Sequence, residues 1–136
     1  MRTKEQILKE SKTIAVVGIS AEQDRASHRV AKYLQSHGYR IIPVNPTVKG
    51  EVLGEKVYPS LRDVPEPVDM VDVFRRSEQV MPIAEEAVAI KAKALWMQDG
   101  MVNEAAAEVA RKAGLDVVMD DCAMRQHSRL KAFGKL

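Results

Sequence analysis

Residues Thr13–Gly18, TIAVVG, form an unbroken β-branched and apolar run that closes on glycine. A strand with no polar face has to be covered on both sides, which is the condition of a parallel sheet sandwiched between helices. Arg40–Val44, RIIPV, repeats the pattern, and Asn45-Pro46 ends it with a turn signal. Between the two runs, Val30, Ala31 and Leu34 recur at helical spacing, with Ser27 as the expected N-cap and Gly38 as the stop. Strand, helix and strand in this order make a right-handed crossover unit.

The same alternation extends outward in both directions. Thr3 and Gln6 have capping-box spacing ahead of a short helix through Ile7 and Leu8. Downstream, Asn45 to Pro67 is rich in Pro, Gly and charge, leaving Val57-Tyr58 as a short edge strand and Leu61 to Val64 as a helical turn. Asp69–Phe74 (DMVDVF) predicts a further strand. A helix near Pro82 to Ile90 follows, with Pro in its first turn and a buried stripe of Val80, Ile83, Ala84, Ala87 and Val88. Ala94–Met97 is the next strand, Asn103 caps a helix through Ala113 that Gly114 ends, and Asp116–Met119 is the last strand. Cys122 to Leu130 predicts a terminal helix. The expected architecture is α/β: a three-layer, Rossmann-like, doubly wound parallel sheet in the order 3-2-1-4-5-6, forming one domain over residues 1–136.

Composition narrows the function. The 136 residues are 46% hydrophobic and 29% charged, as in a globular domain. A net charge of +2, with two Phe, one Trp and three Tyr, argues against a nucleic-acid surface. No apolar run approaches the ~20 residues of a membrane span, and the charged Met1–Ser11 lacks a signal-peptide core, so a cytoplasmic location is expected. The single cysteine, Cys122, excludes an internal disulfide and a Cys-rich metal site. His28, His37 and His127 have no metal-ligand spacing, so no metal is expected. Trp96 and the seven Met read as core.

In a doubly wound sheet the ligand crevice lies outside the carboxyl ends of the strands, where the order reverses. The first loop there runs from Gly18 to Arg25, delivering Ser20 and Arg25 just before a helix whose free N–H groups favour a phosphate. The fourth strand ends in Phe74-Arg75-Arg76, a guanidinium pair suited to bidentate phosphate binding. The plainer alternative leaves these arginines solvated or pairs them with Glu78 and Asp72. The dinucleotide pattern G-x-G-x-x-G is missing, since Ser20 and Gln23 stand at its second and third glycines, and Asn45 stands where a ribose-binding acid belongs. NAD is therefore disfavoured. Lys49, just past Asn45-Pro46, is placed to meet an additional phosphate, against the simpler reading of a solvated surface lysine.

The segments AVVGIS, DRASHRVAKYL, IIPVNP, PVDMVDVFRR, AKALWMQDG and VVMDDC together resemble the small CoA-binding protein family, over about Lys12 to Leu130. That family is similar to the nucleotide-binding domain of the succinyl-CoA synthetase alpha subunit. The resemblance implies coenzyme A as ligand. It implies that Gly18, Ile19, Ser20 and Arg25 cradle the pyrophosphate, that Asn45, Pro46 and Lys49 border the nucleotide, that Arg75 and Arg76 bind phosphate, and that Gln98 and Gly100 line the coenzyme site. Three positions depart from the family: His28 stands where Tyr is frequent, Asp99 where an apolar residue is common, and Asp121 where Arg is common. An acid at 99 beside an anionic ligand is unfavourable unless it faces away or pairs with an arginine.

No catalytic centre is evident, and the phosphohistidine of the synthetase belongs to a later domain that these residues do not include. Cys122 at a helix start is a candidate for a mixed disulfide with the CoA thiol, against the simpler reading of a small packed residue. The favoured function is a module that stores, senses or delivers CoA or acyl-CoA. The alternatives are an NAD(P)-dependent oxidoreductase and an interaction protein with a vestigial pocket. A homodimer or an unidentified protein partner stays open.

Overall fold

The computed structural model describes residues 1–136. In chain order its elements are α1 (Lys4–Glu10), β1 (Thr13–Val17), α2 (Ala26–Ser36), β2 (Arg40–Val44), β3 (Glu51–Val52), β4 (Glu55–Lys56), β5 (Met70–Val73), α3 (Val80–Ala89), β6 (Ala94–Met97), α4 (Glu104–Lys112), β7 (Asp116–Val118) and α5 (Ala123–Ala132). Single 3-10 turns occupy Leu61–Asp63 and Ser77–Gln79. Five strands form a parallel sheet in the order β2-β1-β5-β6-β7.

The expected edge strand shrinks to one parallel bridge, Tyr58 to Val44, on the outer side of β2. Tyr58 gives its N–H to Pro43 O (3.0 Å) and accepts from Asn45 N (2.9 Å). The ladder stops there because Pro59 has no N–H and the Val57 N–H is committed to Gly50 O (2.9 Å). Counting that bridge as the third strand, the order is 3-2-1-4-5-6. The hairpin β3–β4, which the sequence reading missed, turns on Leu53-Gly54, where both φ angles are positive (56° and 76°).

Side-chain parity divides the core into two layers. Ala15, Val17, Ile42, Val44, Val71, Val73, Leu95 and Met97 face α3 and α4, which bring Val80, Ile83, Ala84, Ala87, Ala106, Ala107 and Ala110. Ile14, Val16, Ile41, Met70 and Trp96 face the other way, onto Ile7 and Leu8 of α1, Val30, Ala31 and Leu34 of α2, and Ala123 of α5. Successive residues of one strand thus enter opposite layers, which is why these strands carry no polar face. Trp96 is fully buried, with its Nε1–H on Asp121 O (2.9 Å). The methionines are not uniformly core: Met70, Met97 and Met101 are buried, Met81, Met119 and Met124 pack at the margins, and the terminal Met1 is exposed.

The capping box forms as expected, with Thr3 Oγ1 taking the Gln6 N–H (3.2 Å) and Gln6 Oε1 taking the Thr3 N–H (2.8 Å). Asn103 caps α4 through Ala106 N (2.9 Å). Ser27 is not the N-cap of α2. Arg25 holds that position without a side-chain cap, and Ser27 lies inside the first turn with its hydroxyl turned back to accept the Ser20 N–H (2.9 Å).

Candidate functional site

Three strand ends are laced together at the switch point. Gly18 donates to Val44 O and Phe74 donates to Val17 O, both at 2.8 Å, joining β1 to β2 and to β5. Gly18 has φ +88°, and a Cβ there would lie 2.1 Å from Phe74 O and 3.3 Å from Arg75 Nε. The absent side chain therefore lets the β5 backbone close in and seats the Arg75 side chain over the glycine. Arg75 Nη2 reaches Asn45 Oδ1 at 3.4 Å, so Gly18, Asn45 and Arg75, which lie far apart in the chain, meet at one point.

Asn45 is buried and its amide is committed to the protein. Nδ2 donates to Ile19 O (2.9 Å), while Oδ1 accepts from Thr47 N (3.0 Å) and Thr47 Oγ1 (2.8 Å). It clasps the first loop to the end of β2. Ile19 puts its side chain wholly into the core. Ser20 is also internally engaged: its carbonyl meets His28 Nδ1 (2.9 Å) and its hydroxyl accepts from Glu22 N (3.0 Å). His28 is thereby a buried brace of this loop. Beyond it, Arg25 is exposed, 4.0 Å from Glu22, at the start of α2.

The loop after β5 carries the adjacent Arg75 and Arg76. Ser77 Oγ accepts from Val102 N (3.1 Å) and Ser77 O from Asn103 Nδ2 (2.8 Å), which holds this loop against the one after β6. Between them Phe74, Arg75, Arg76, Gln79, Gln98, Asp99 and Met101 line a cleft of about 520 Å³. The expected pairing of these arginines with Glu78 and Asp72 does not form, since no ion pair in the chain involves any of the four, and Arg75 is half-buried while Arg76 is exposed to solvent. Two unpaired guanidiniums beside a cleft favour an anion there.

The two acidic departures are neutralised. Arg125 on α5 binds Asp99 through both Nη atoms (2.8 and 2.7 Å), and this bond holds the Asp99 carboxyl below the usual carboxylate range. Asp121 takes Lys4 Nζ (2.5 Å) and Arg125 Nη2 (2.9 Å). Burial pushes the Asp121 carboxyl up, but the bonds from Lys4, Gln126 and the Cys122 N–H outweigh it and leave it below its ordinary value. Arg125 carried no signal in the sequence reading, because its partners are set by the approach of α5 to the β6 loop.

A buried polar pair also escaped that reading. Gln98 Nε2 donates to Asp72 Oδ1 at 2.5 Å, from the end of β6 to the middle of β5. Asp72 is completely buried, its Oδ2 has no partner, and burial, opposed by the Gln98 bond, pushes its carboxyl up to about 7. The available signal was the acid itself, which interrupts the otherwise apolar strand MVDV.

Of the expected site residues, the structure brings Gly18, Asn45 and Arg75 into contact and places Arg75, Arg76 and Gln98 on one cleft. Ile19 and Ser20 take part through the backbone of the loop. Gly100 sits at the turn after Gln98, with its N–H on Asp120 Oδ1 (2.7 Å). Pro46 and Lys49 are exposed on the loop after β2, and no hydrogen bond or ion pair joins Lys49 or Arg25 to the cleft residues. Cys122 is buried and lines a second groove of about 740 Å³ between α2 and α5, which shares Asp99 with the cleft. A cavity of about 380 Å³ beside Arg2, Lys93 and Asp116 opens at the amino end of the sheet, away from all of these residues. No helix is long and apolar enough to cross a membrane, and no group of His, Cys, Asp or Glu is arranged to hold a metal ion.

The profile of the CoA binding domain matches residues 12–128. The chain belongs to that CoA-binding domain family. It is 48% identical to the uncharacterized protein YneT of Bacillus subtilis, over 93% of both chains. A solved hypothetical protein from Pyrococcus horikoshii superposes with a TM-score of 0.90 at 41% identity, covering 96% of this chain and 93% of that one. The ADP-forming acetate–CoA ligase I of Archaeoglobus fulgidus is 28% identical over 82% of this chain but only 18% of the ligase. The CoA-binding domain thus spans about a fifth of that enzyme, consistent with the likeness to a synthetase domain read from the sequence.

Proposed function

We propose that this CoA-binding domain holds coenzyme A, or a CoA thioester, at the carboxyl ends of β1, β5 and β6, and has no catalytic centre of its own. The observation that carries the reading is the meeting of Gly18, Asn45 and Arg75 beside a cleft with two unpaired arginines. Arg75 and Arg76 are the phosphate ligands, and the free N–H groups at the start of α2, next to Arg25, supply further anion-binding capacity. Lys49 and Pro46 border the nucleotide from the loop after β2. Asn45 and Ser20 act by shaping the loop, since their polar groups are already bonded to the protein. A cytoplasmic, reducing compartment suits a CoA thiol and a chain whose one cysteine is free.

Isothermal titration with CoA, ADP and NAD in one buffer tests this directly. Micromolar CoA binding with much weaker NAD binding supports it. No binding of CoA, or a preference for NAD, refutes it.

A further inference from the structure

We infer that Asp72 fixes the Gln98 amide so that Gln98 Oε1 faces the cleft and accepts a hydrogen bond from an amide N–H of the ligand's pantetheine arm. This rests on the coenzyme reading above and names the part of the ligand that the β6 end recognises.

An ionised carboxylate offers acceptors only, so its bond to Gln98 requires the NH₂ group turned inward and the carbonyl oxygen turned away. Gln98 itself is 95% buried, yet Oε1 is not among the sealed, unpartnered atoms of the interior, and Gln98 lines the cleft. The cleft therefore presents an acceptor at its Gln98 wall and cations at Arg75 and Arg76. Phosphate groups satisfy the arginines but bring no N–H to Gln98. The secondary amides of pantetheine do.

The cost of the arrangement shows that it is not there for stability. Asp72 stands in register between Val16 of β1 and Trp96 of β6, at a site any apolar residue would fill, and leaves Oδ2 without a partner. A buried, half-satisfied carboxyl is unfavourable by itself. Its one side-chain hydrogen bond is to Gln98, and orienting Gln98 is what that bond accomplishes. Asp72 is a positioning residue and Gln98 the contact.

The test is calorimetric titration at pH 8 of CoA and of adenosine 3′,5′-bisphosphate, which keeps adenine and phosphates but lacks pantetheine. Gln98→Met should weaken CoA about 2- to 10-fold, the range of one lost neutral hydrogen bond, and leave the bisphosphate unchanged. Asp72→Asn, whose amide lets Gln98 turn either way, should give a smaller loss with the same selectivity. Equal losses for both ligands, as a contact to the adenine amino group or a merely structural role would produce, overturn the inference. So does unchanged CoA affinity in Gln98→Met. Wild-type protein that binds no CoA removes the coenzyme reading, and this inference with it. A measurement on the wild type avoids dependence on variants that fail to fold. The Gln98 side-chain NH₂ should resonate as a hydrogen-bonded, slowly exchanging pair in the free protein and stay so when CoA is added. Rapid exchange, or transfer of the NH₂ to the ligand, would refute the assigned orientation.

Discussion

Asp72→Asn should make the free protein more stable at pH 8 and remove part of its pH dependence. Burial raises the Asp72 carboxyl from 3.8 to about 7, so the folded protein holds this proton more tightly than the unfolded chain does. Below about pH 4 both states are protonated and there is no penalty. As pH rises from about 4 through 7 the folded state alone retains the proton, and stability falls, levelling off above the folded pKa. Three pKa units correspond to about 4 kcal/mol at most. Asn never ionises, but its NH₂ group needs a partner of its own, so the expected net gain at pH 8 is about 2–3 kcal/mol, or roughly 10 °C in melting temperature for a domain of this size. His127 acts with the opposite sign: burial depresses its pKa, so its contribution is lost as pH falls through the same range. It is present in both proteins, and the difference between their melting curves from pH 5 to pH 8 isolates Asp72. Equal stability at pH 8, or a difference that does not shrink towards pH 5, would refute the argument. A gain in stability with a loss of CoA selectivity would mark Asp72 as a residue kept for binding at the expense of the fold.

Gly18→Ala should cost about 3 kcal/mol or more in chemical denaturation, because the new Cβ would meet Phe74 O at 2.1 Å on a backbone with φ +88°. Arg75→Ala should weaken CoA binding by about tenfold in calorimetry while moving the melting temperature of the free protein by no more than a degree or two, since its one side-chain hydrogen bond to the protein is a long one of 3.4 Å. Cys122, 8% exposed, should react with a bulky disulfide reagent at least tenfold more slowly in the native protein than in denaturant, as followed by thiol titration.

The strands, the helices and their order were legible in the sequence because each depends on neighbours along the chain. After their first residues, Thr13 and Arg40, TIAVVG and RIIPV are apolar throughout, as is ALWM, since successive side chains enter opposite core layers. Thr3 and Asn103 reveal helix starts because a cap bonds N–H groups within three residues. Gly18 and the pair Arg75-Arg76 stood out because they follow strands whose carboxyl ends must meet at the switch point. The local reading went wrong where a distant partner intervened. Ser27 looks like an N-cap but bonds Ser20, and Val57-Tyr58 looks like a strand but has only one bridged position before Pro59. The Asn45 clasp on Ile19, the neutralisation of Asp99 by Arg125, and the Asp72–Gln98 pair were decided by tertiary structure alone. Each joins residues about 26 positions apart, across neighbouring strands or between a strand end and a helix. No periodicity within a segment encodes such a contact: it exists only once β2 lies beside β1, β5 beside β6, and α5 against the loop that follows β6.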